Sequence, residues 1–520
     1  VAECLTQAGL TAADVDVVAL PRTGYPTEYF AATAFFPGFA PSRGTANLLS
    51  VTRRPWLRDP HKALDVNRFL EPFGLSDRPV FFYNHHAAHA YATLFHTDWT
   101  DGLIYTSDGG GDRVFYSARV LDGTRLTDVF GGEQASVAWR RPQVKNDSLG
   151  LLYYHVTDAL GFKPLRHEGK VLGLAAFGRP LYAEEFRANY SLSGDGQIHG
   201  SQPIKAVARR LKALAAEAKR EDLAASVQQV LEDVTLESLG SILARHPARN
   251  LGVSGGVFAN VKLTQRIAAR FPFREVFVYP AMSDQGEAAG GVLQYLAERD
   301  GMPAWLARRS RFANLYFGYD YMAQADSFFD AAGMSNVAAG NVAEAAARLV
   351  AEGKIVGTYM GRMEYGPRAL GARSILAAAT DRTINDTLNK RLDRTEFMPF
   401  APVVRAERAQ DVFELPDSLL YTACYMTVTC DVKPEWSDRI PAVVHVDGTA
   451  RPQIVHRGHN PTYYDALACY ERLTGIPVTI NTSFNVHEEP IVNTPAEAAV
   501  ALRDNRVDFV ATDTAIWAKP

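Results

Sequence analysis

Cysteine is scarce in this chain. The 520 residues include 4 cysteines, at Cys4, Cys424, Cys430 and Cys469, and no two of them form a C-x-x-C pair. That excludes a disulfide framework and a zinc ribbon, and leaves buried or tolerated thiols. No apolar run approaches the ~18 residues that a transmembrane helix requires. No basic start leads into a signal-peptide core, so a cytoplasmic protein with no membrane partner is expected. Neither sign of charge dominates: 54 basic side chains stand against 58 acidic ones, for a net charge of −4. There is no global attraction to nucleic acid or to an anionic membrane, although a small anion could be held locally. Internal repeats and low-complexity tracts are absent as well.

What is present is a soluble, globular composition, 47% hydrophobic and 22% charged, on a chain too long for one compact core. The expected class is α/β in two domains, 1–305 and 306–520, because the pattern loosens around Gly301, Pro303, Gly318, Gly333 and Gly340. Strands are predicted at Val15–Leu20, Val80–Tyr83, Gly102–Thr106, Val114–Arg119, Asn250–Val253, Glu275–Tyr279 and Ile355–Tyr359. Residues 203–245 predict long amphipathic helices (Val207, Leu211 and Leu214, then Val227, Val230 and Val234), and Val342–Glu352 another. The chain opens in a helical pattern (Val1, Leu5, Leu10), whereas an α/β domain more often opens on a strand, so an earlier segment is expected to precede it.

The chemistry starts at Asn84-His85-His86-Ala87-Ala88-His89. On a helix, positions i and i+4 share a face, so His85 and His89 can hold one metal ion while His86 points elsewhere. Such a pair alone is equally an ordinary surface helix. Asp108, in the glycine turn Ser107-Asp108-Gly109-Gly110-Gly111-Asp112, can supply a third ligand, and Asp284, in Ser283-Asp284-Gln285-Gly286, a fourth. This donor set suits iron, zinc or manganese, with iron the expected ion. Glycine loops after strands let backbone N–H groups approach a phosphate. Three of them, at Asp108–Asp112, at Ser254-Gly255-Gly256-Val257 through Asn260, and at Ser283–Gly286 with Gly290-Gly291, suggest a nucleotide beside the metal.

Together with His167-Glu168-Gly169-Lys170-Val171-Leu172-Gly173, Gly361-Arg362-Met363-Glu364-Tyr365-Gly366-Pro367-Arg368-Ala369-Leu370-Gly371, Pro399-Phe400-Ala401-Pro402, His445-Val446-Asp447-Gly448-Thr449-Ala450-Arg451-Pro452-Gln453 and Asn481-Thr482-Ser483-Phe484-Asn485, these motifs resemble the O-carbamoyltransferases of the NodU and tobramycin type. The resemblance runs from about residue 80 to the end, in family order. It implies an actin-like ATPase fold for the first domain and a YrdC-like α/β fold for the second. It also implies two steps: carbamoyl phosphate and ATP, with Mg2+ on the nucleotide, give carbamoyl adenylate and pyrophosphate in the second domain, and the first passes the carbamoyl group to an alcohol.

A compact dianion calls for arginine forks with hydroxyl donors, which Arg362, Arg368, Arg373 and Arg451 with Ser483 and Asn485 supply. By resemblance, Arg368, Arg451 and Ser483 match carbamoyl-phosphate positions. His167, Glu168 and Lys170, expected on a loop before a helix, are either a cap with solvated charge or groups beside acceptor and phosphate. Two departures stand out. Nothing in residues 1–30 matches the family's His-Asp pair, so no base for the alcohol is assigned. In a segment where relatives carry three basic positions, Leu392 and Met398 replace two and Arg394 remains, with Lys390 or Arg391 the candidates to restore charge.

Two other classes share part of this pattern. An actin-fold kinase leaves the second domain without a purpose, and a tRNA threonylcarbamoyl-type enzyme sits poorly with balanced charge. The acceptor is expected to be a small natural-product alcohol. Tyr25, Tyr29, Phe30, Phe35, Phe36 and Trp56 serve either as its wall or as packing between domains. A homodimer is one assembly compatible with this reading.

Overall fold

The computed structural model describes residues 1–22, 24–29, 61, 64–137, 146–394 and 398–520. In it, the apolar runs of the first half become a two-stranded parallel sheet and a five-stranded mixed sheet. β1 (Val18–Pro21) pairs parallel with β2 (Val80–Tyr83), and α1 (His85–Phe95) follows directly. β3 (Asp101–Gly111), β4 (Val114–Asp122) and β5 (Arg125–Phe130) form an antiparallel meander. β6 (Asn250–Ser254) and β7 (Glu275–Val278) then add in parallel, giving the order β5-β4-β3-β6-β7. Leu103, Ile104 and Tyr105 at the centre of β3 are buried on both faces, which a strand between two covering layers must be.

The helical stretch after residue 203 is broken once. α2 (Ile204–Glu217) and α3 (Arg220–Arg245) are separated at Ala218 and Lys219, and they bury the predicted valines and leucines. α4 (Glu287–Asp300) closes the half by packing on α1. This contact is tight because α4 carries two adjacent glycines: a Cβ on Gly290 would lie 2.2 Å from the Ala88 carbonyl oxygen, and one on Gly291 2.1 Å from the Tyr83 ring.

The second half has its own sheet of eight strands. These are β8 (Ser335–Ala339), β9 (Val356–Thr358), β10 (Ser374–Ala378), β11 (Ala401–Arg405), β12 (Gln453–Val455), β13 (Val478–Ser483), β14 (Phe509–Ala511) and β15 (Ala515–Ala518), in the spatial order β8-β15-β14-β9-β10-β13-β11-β12. The sheets of the two halves share no strand, and both halves are mixed α/β, as expected. They meet through side chains: Phe277 stacks on Tyr421 at 4.8 Å, Tyr279 Oη lies 3.2 Å from Tyr365 Oη, and Lys262 Nζ lies 2.9 Å from Asp447 Oδ2. All four cysteines are free thiols. No helix among the described residues is long and apolar enough to cross a membrane.

The connection from β9 to β10 has no regular structure but is fixed at defined points. The buried Glu364 accepts hydrogen bonds at Oε1 from the backbone N–H groups of Leu370 (2.8 Å), Ala372 (2.7 Å) and Arg373 (3.0 Å). The Leu370 carbonyl accepts from Gln453 and from the Tyr316 hydroxyl, and the Ala369 carbonyl from Asn481. Arg373 was expected among the phosphate-binding arginines; it is instead fully buried, lies 3.8 Å over the Tyr359 ring and donates to the carbonyls of Met360, Gly361 and Ala372. It is an internal tie, and its charge serves the loop. Glu364→Ala should strand three buried donors at a cost of roughly 2–4 kcal/mol. A thermal unfolding midpoint lowered by several degrees, and restored by Glu364→Gln, whose amide oxygen can still accept, is the expected outcome.

Candidate metal centre and inter-domain cavity

The Asn84 side chain caps α1 by accepting from Ala87 N at 2.9 Å, the arrangement that asparagine at this position favours. The helix then sends its histidines in two directions. His86 is fully buried, with Nδ1 2.7 Å from Thr106 Oγ1 and Nε2 2.9 Å from the Val114 carbonyl. Burial pushes its pKa well below the usual value, so it is a neutral internal crosspiece. His85 and His89 face the other way, as the i,i+4 spacing predicted. Gly111 admits the His85 ring: a Cβ there would lie 2.0 Å from it. The turn after Gly111 has positive φ at both Asp112 (49°) and Arg113 (66°), the two-residue hairpin geometry that matches the twist of its strands.

His85, His89, Asp108 and Asp284 converge, with one donor atom of each within 4.8 Å of the others. His89 Nε2 lies 3.5 Å from Asp108 Oδ2 and 4.0 Å from Asp284 Oδ1, and His85 Nε2 lies 4.0 Å from Asp108 Oδ2. Both Nε2 atoms are buried without a hydrogen-bond partner, a costly state that a bound cation removes. The Ser254 hydroxyl donates to the Met282 carbonyl and so accepts from His89 Nδ1, each at 3.2 Å, which leaves His89 Nε2 with its lone pair toward the cluster. The residues fit a divalent transition metal. Burial would raise the Asp108 pKa, but His89, His85 and the Gly256 N–H hold it well below the usual carboxylate range. Burial would lower the His85 pKa, but Glu287, Asp108 and Asp284 lift it to about 9.

The glycines expected at phosphate also pack closely around this cluster. A Cβ on Gly255 would strike the Ser107 carbonyl at 2.1 Å, Gly256 N donates to Asp108 Oδ2 at 2.8 Å, and Gly286 faces the Ala281 carbonyl. Gly109 N approaches its own Asp108 Oδ1 at 2.5 Å, and Gly110 has φ 147°. Asn260 caps the helix Val261–Arg270 and pairs with Gln228, and Val257 is buried. These contacts position the side chains of the cluster.

A cavity of about 680 Å³ lies between the halves. From the second half it is lined by Arg368, Arg451, Arg394, Ser483 and Asn485, and from the first by His167, Lys170, Lys262 and Ala259. Arg394 donates to Thr482 Oγ1 (2.7 Å), Ser483 Oγ (3.0 Å) and Asn485 Oδ1 (2.7 Å), which fixes the turn after β13. Arg362 is not among the described lining residues, and Arg391 is engaged by Asp508 at 2.7 Å, so Arg391 does not replace the missing charges. His167 is the N-cap of a helix that begins at Glu168, not part of a loop before it. The Glu168 carboxylate is used locally, accepting from Leu165 N at 2.6 Å. His167, His487 and Glu488 also cluster. There, however, Lys163 N donates to His167 Nδ1, so Nε2 carries the proton toward Glu488, and the Lys163 and Lys170 ammonium groups lie alongside. That set does not suit a cation.

Sequence reasoning missed Glu287, whose Oε1 lies 2.5 Å from His85 Nδ1. Its signal was its place on one helical face with Gly290 and Gly291. Tyr25 and Tyr29 both pack on Phe69 at 5.1 Å; Phe30, Phe35, Phe36 and Trp56 lie outside the described residues.

Residues 71–293 match the family model for the carbamoyltransferase N-terminus, and residues 347–519 match that for the carbamoyltransferase C-terminus. The chain belongs to the carbamoyltransferase family. It is 31% identical over 526 residues to nodulation protein NolNO of Sinorhizobium fredii, covering 97% of this chain and 72% of that protein. It is 31% identical over 437 residues to nodulation protein NolO of Bradyrhizobium diazoefficiens, covering 82% and 77%. An uncharacterized protein of Methanocaldococcus jannaschii, MJ1058, is 32% identical over 456 residues, covering 83% and 72%. Among solved structures, full-length HypF in its phosphate- and nucleotide-bound form aligns over 44% of this chain and 45% of that one, at 15% identity and a TM-score of 0.27. In this carbamoyltransferase the cluster of His85, His89, Asp108 and Asp284 falls within the N-terminal match, and the Arg368, Arg451 and Ser483 set within the C-terminal match.

Two substitutions test the centre. His89→Ala removes a donor, and Gly111→Ala drives a methyl group into the His85 ring. Both should lose stoichiometric metal by elemental analysis while keeping the circular dichroism spectrum of the parent. Full metal retained in His89→Ala would sink the assignment.

Proposed function

We propose that this carbamoyltransferase is ATP-dependent and acts on the hydroxyl of a small natural product. The carrying observation is the cavity between the halves, where Arg368 and Arg451 face His167, Lys170 and Lys262. Its volume suits a nucleotide-sized ligand. Guanidinium and ammonium groups from two sides are what a triphosphate and a carbamoyl phosphate dianion need. Carbamoyl phosphate takes up water and loses inorganic phosphate to leave carbamate. A carbamate oxygen then attacks the α-phosphorus of ATP, with Mg2+ on the nucleotide, and pyrophosphate departs. The acceptor oxygen finally attacks the carbamoyl carbon, its proton is lost, and AMP leaves.

In this scheme Arg368 and Arg451 hold the phosphate end of carbamoyl phosphate. Glu364, Gln453, Tyr316 and Asn481 keep the Arg368 loop from adjusting, so its charge is pre-placed. Arg394 holds Ser483 and Asn485 as the polar floor. His85, His89, Asp108 and Asp284 would hold the metal, iron by expectation, whose chemistry there is to draw electron density from the carbonyl or phosphate oxygen of the adenylate. The metal-ligating side chains are not among the described lining residues of the cavity. The connection runs through the turn Gly256–Ala259, which touches Asp108 at one end and the cavity at the other.

Carbamoyl-phosphate-dependent release of pyrophosphate, with AMP as the nucleotide product, is expected; release of ADP would favour the actin-fold kinase. Arg368→Ala should reduce that release on the order of 10²-fold or more, and unchanged release would remove Arg368 from the site. A panel of alcohols assayed by mass for one added carbamoyl group identifies the acceptor. Modification of tRNA in place of the alcohols would favour the threonylcarbamoyl-type reading.

A further inference from the structure

Glu287 has no part in the scheme above, yet it sits against the metal-ligand set. Its side chain is 8% exposed, and Oε1 lies 2.5 Å from His85 Nδ1 and 3.5 Å from His89 Nε2. It opens α4, three and four residues before the glycines that press this helix onto α1, so the same face that removes two side chains from the contact delivers a carboxylate into it. A carboxylate this deeply buried needs a partner; its Oε1 has no hydrogen bond of good angle, and the group in ion-pair contact with it is the His85 ring.

The distances decide which part Glu287 plays. Two donor atoms on one ion with bonds of about 2.0–2.2 Å must stay roughly 3 Å apart. The 2.5 Å between Glu287 Oε1 and His85 Nδ1 is shorter than that, so both atoms cannot be ligands of the same ion. It is instead the spacing of an imidazole N–H shared with a carboxylate. With Nδ1 so engaged, Nε2 is the nitrogen left for the metal, and Nε2 is the atom that is buried without a hydrogen-bond partner 4.0 Å from Asp108. His89 is arranged in the same way by a different group, with Nδ1 on Ser254 and Nε2 toward the cluster.

We propose that Glu287 is the positioning residue of the metal centre, holding His85 through Nδ1 so that Nε2 faces the ion. The proposal rests on the reading of His85, His89, Asp108 and Asp284 as metal ligands. It makes the two histidines unequal. His85 is oriented by a full negative charge, which raises the basicity of its ligating nitrogen, and His89 by a neutral hydroxyl. His85 should therefore be the stronger donor.

The test uses the full chain loaded with Co2+. Two exchangeable, hyperfine-shifted imidazole N–H resonances are expected in the wild type, one from each Nδ1–H. In Glu287→Ala the His85 resonance should vanish through exchange with water while that of His89 persists, and Co2+ affinity should fall about 10–100-fold. Glu287→Gln, whose amide oxygen still accepts from Nδ1, should keep both resonances and most of the affinity. Both resonances and full affinity in Glu287→Ala would overturn the proposal. So would a Glu287→Gln protein as weak as Glu287→Ala with an altered visible Co2+ spectrum, because that outcome makes Glu287 a ligand itself. A wild-type chain that takes up no stoichiometric metal is a separate result, which removes the centre and the proposal with it.

Discussion

The structure of the first half is organised around one constraint: a carboxylate, Asp108, held out of water between two imidazoles. Removing such a charge from solvent is expensive unless every lone pair finds a donor or a cation. The chain meets the requirement from several elements at once. Gly109 and Gly256 offer backbone N–H groups, α1 brings His85 and His89, and the turn after β7 brings Asp284. Each approach needs a backbone with no side chain in the way. Gly111 clears the His85 ring, Gly255 lets its loop reach Ser107, and Gly290 with Gly291 lets α4 lie against α1. Glycine clusters of this kind are therefore a record of close approach between backbones.

The convergence of His85, His89, Asp108 and Asp284 was largely legible in the sequence because helical periodicity is a local rule. His85 and His89 at i and i+4 must share a face, and His86 must leave it, whatever the rest of the chain does. The strands of the central sheet were legible for the same reason, being apolar runs bounded by glycine. Partnerships that depend on chain-distant packing were not legible. Arg373 stands five residues after Arg368, just beyond the same motif, yet Tyr359 and three carbonyls draw it into the core while Arg368 faces the cavity. Ser254 looked like the start of a phosphate loop, and its hydroxyl is committed to His89 and Met282. Glu168 looked like a candidate beside the substrate, and it closes its own turn at Leu165. For Arg373 and Ser254 the partner is supplied by tertiary contact, and for Glu168 by its own turn.

The second half solves a different problem. Its cavity groups are arginines on irregular chain, the kind of segment that ordinarily moves. The loop from β9 to β10 is kept in place by a buried acceptor inside it, Glu364, and by donors outside it, Gln453, Tyr316 and Asn481. The Ser483–Asn485 turn is kept in place by Arg394. A cation surrounded by such a frame need not be reorganised when an anion arrives, which is where electrostatic binding gains over the same groups in water.

Why the two halves should be joined at all follows from the chemistry proposed. Carbamoyl adenylate is a mixed anhydride open to attack by water, so the interval between its formation and its use must be spent where water is scarce. A passage bounded by both halves meets that need only if the halves do not separate freely. The contacts across the boundary are of a kind that resists separation: aromatic stacking of Phe277 on Tyr421, the Lys262 to Asp447 ion pair beside the cavity, and the Val278 N–H donated to Thr422 in the buried seam. The short turn Gly256–Ala259 carries the argument furthest. One end donates a backbone N–H to Asp108 and the other lines the cavity, so any ligand that displaces this turn would be felt at the metal ligands as a change in the support of Asp108.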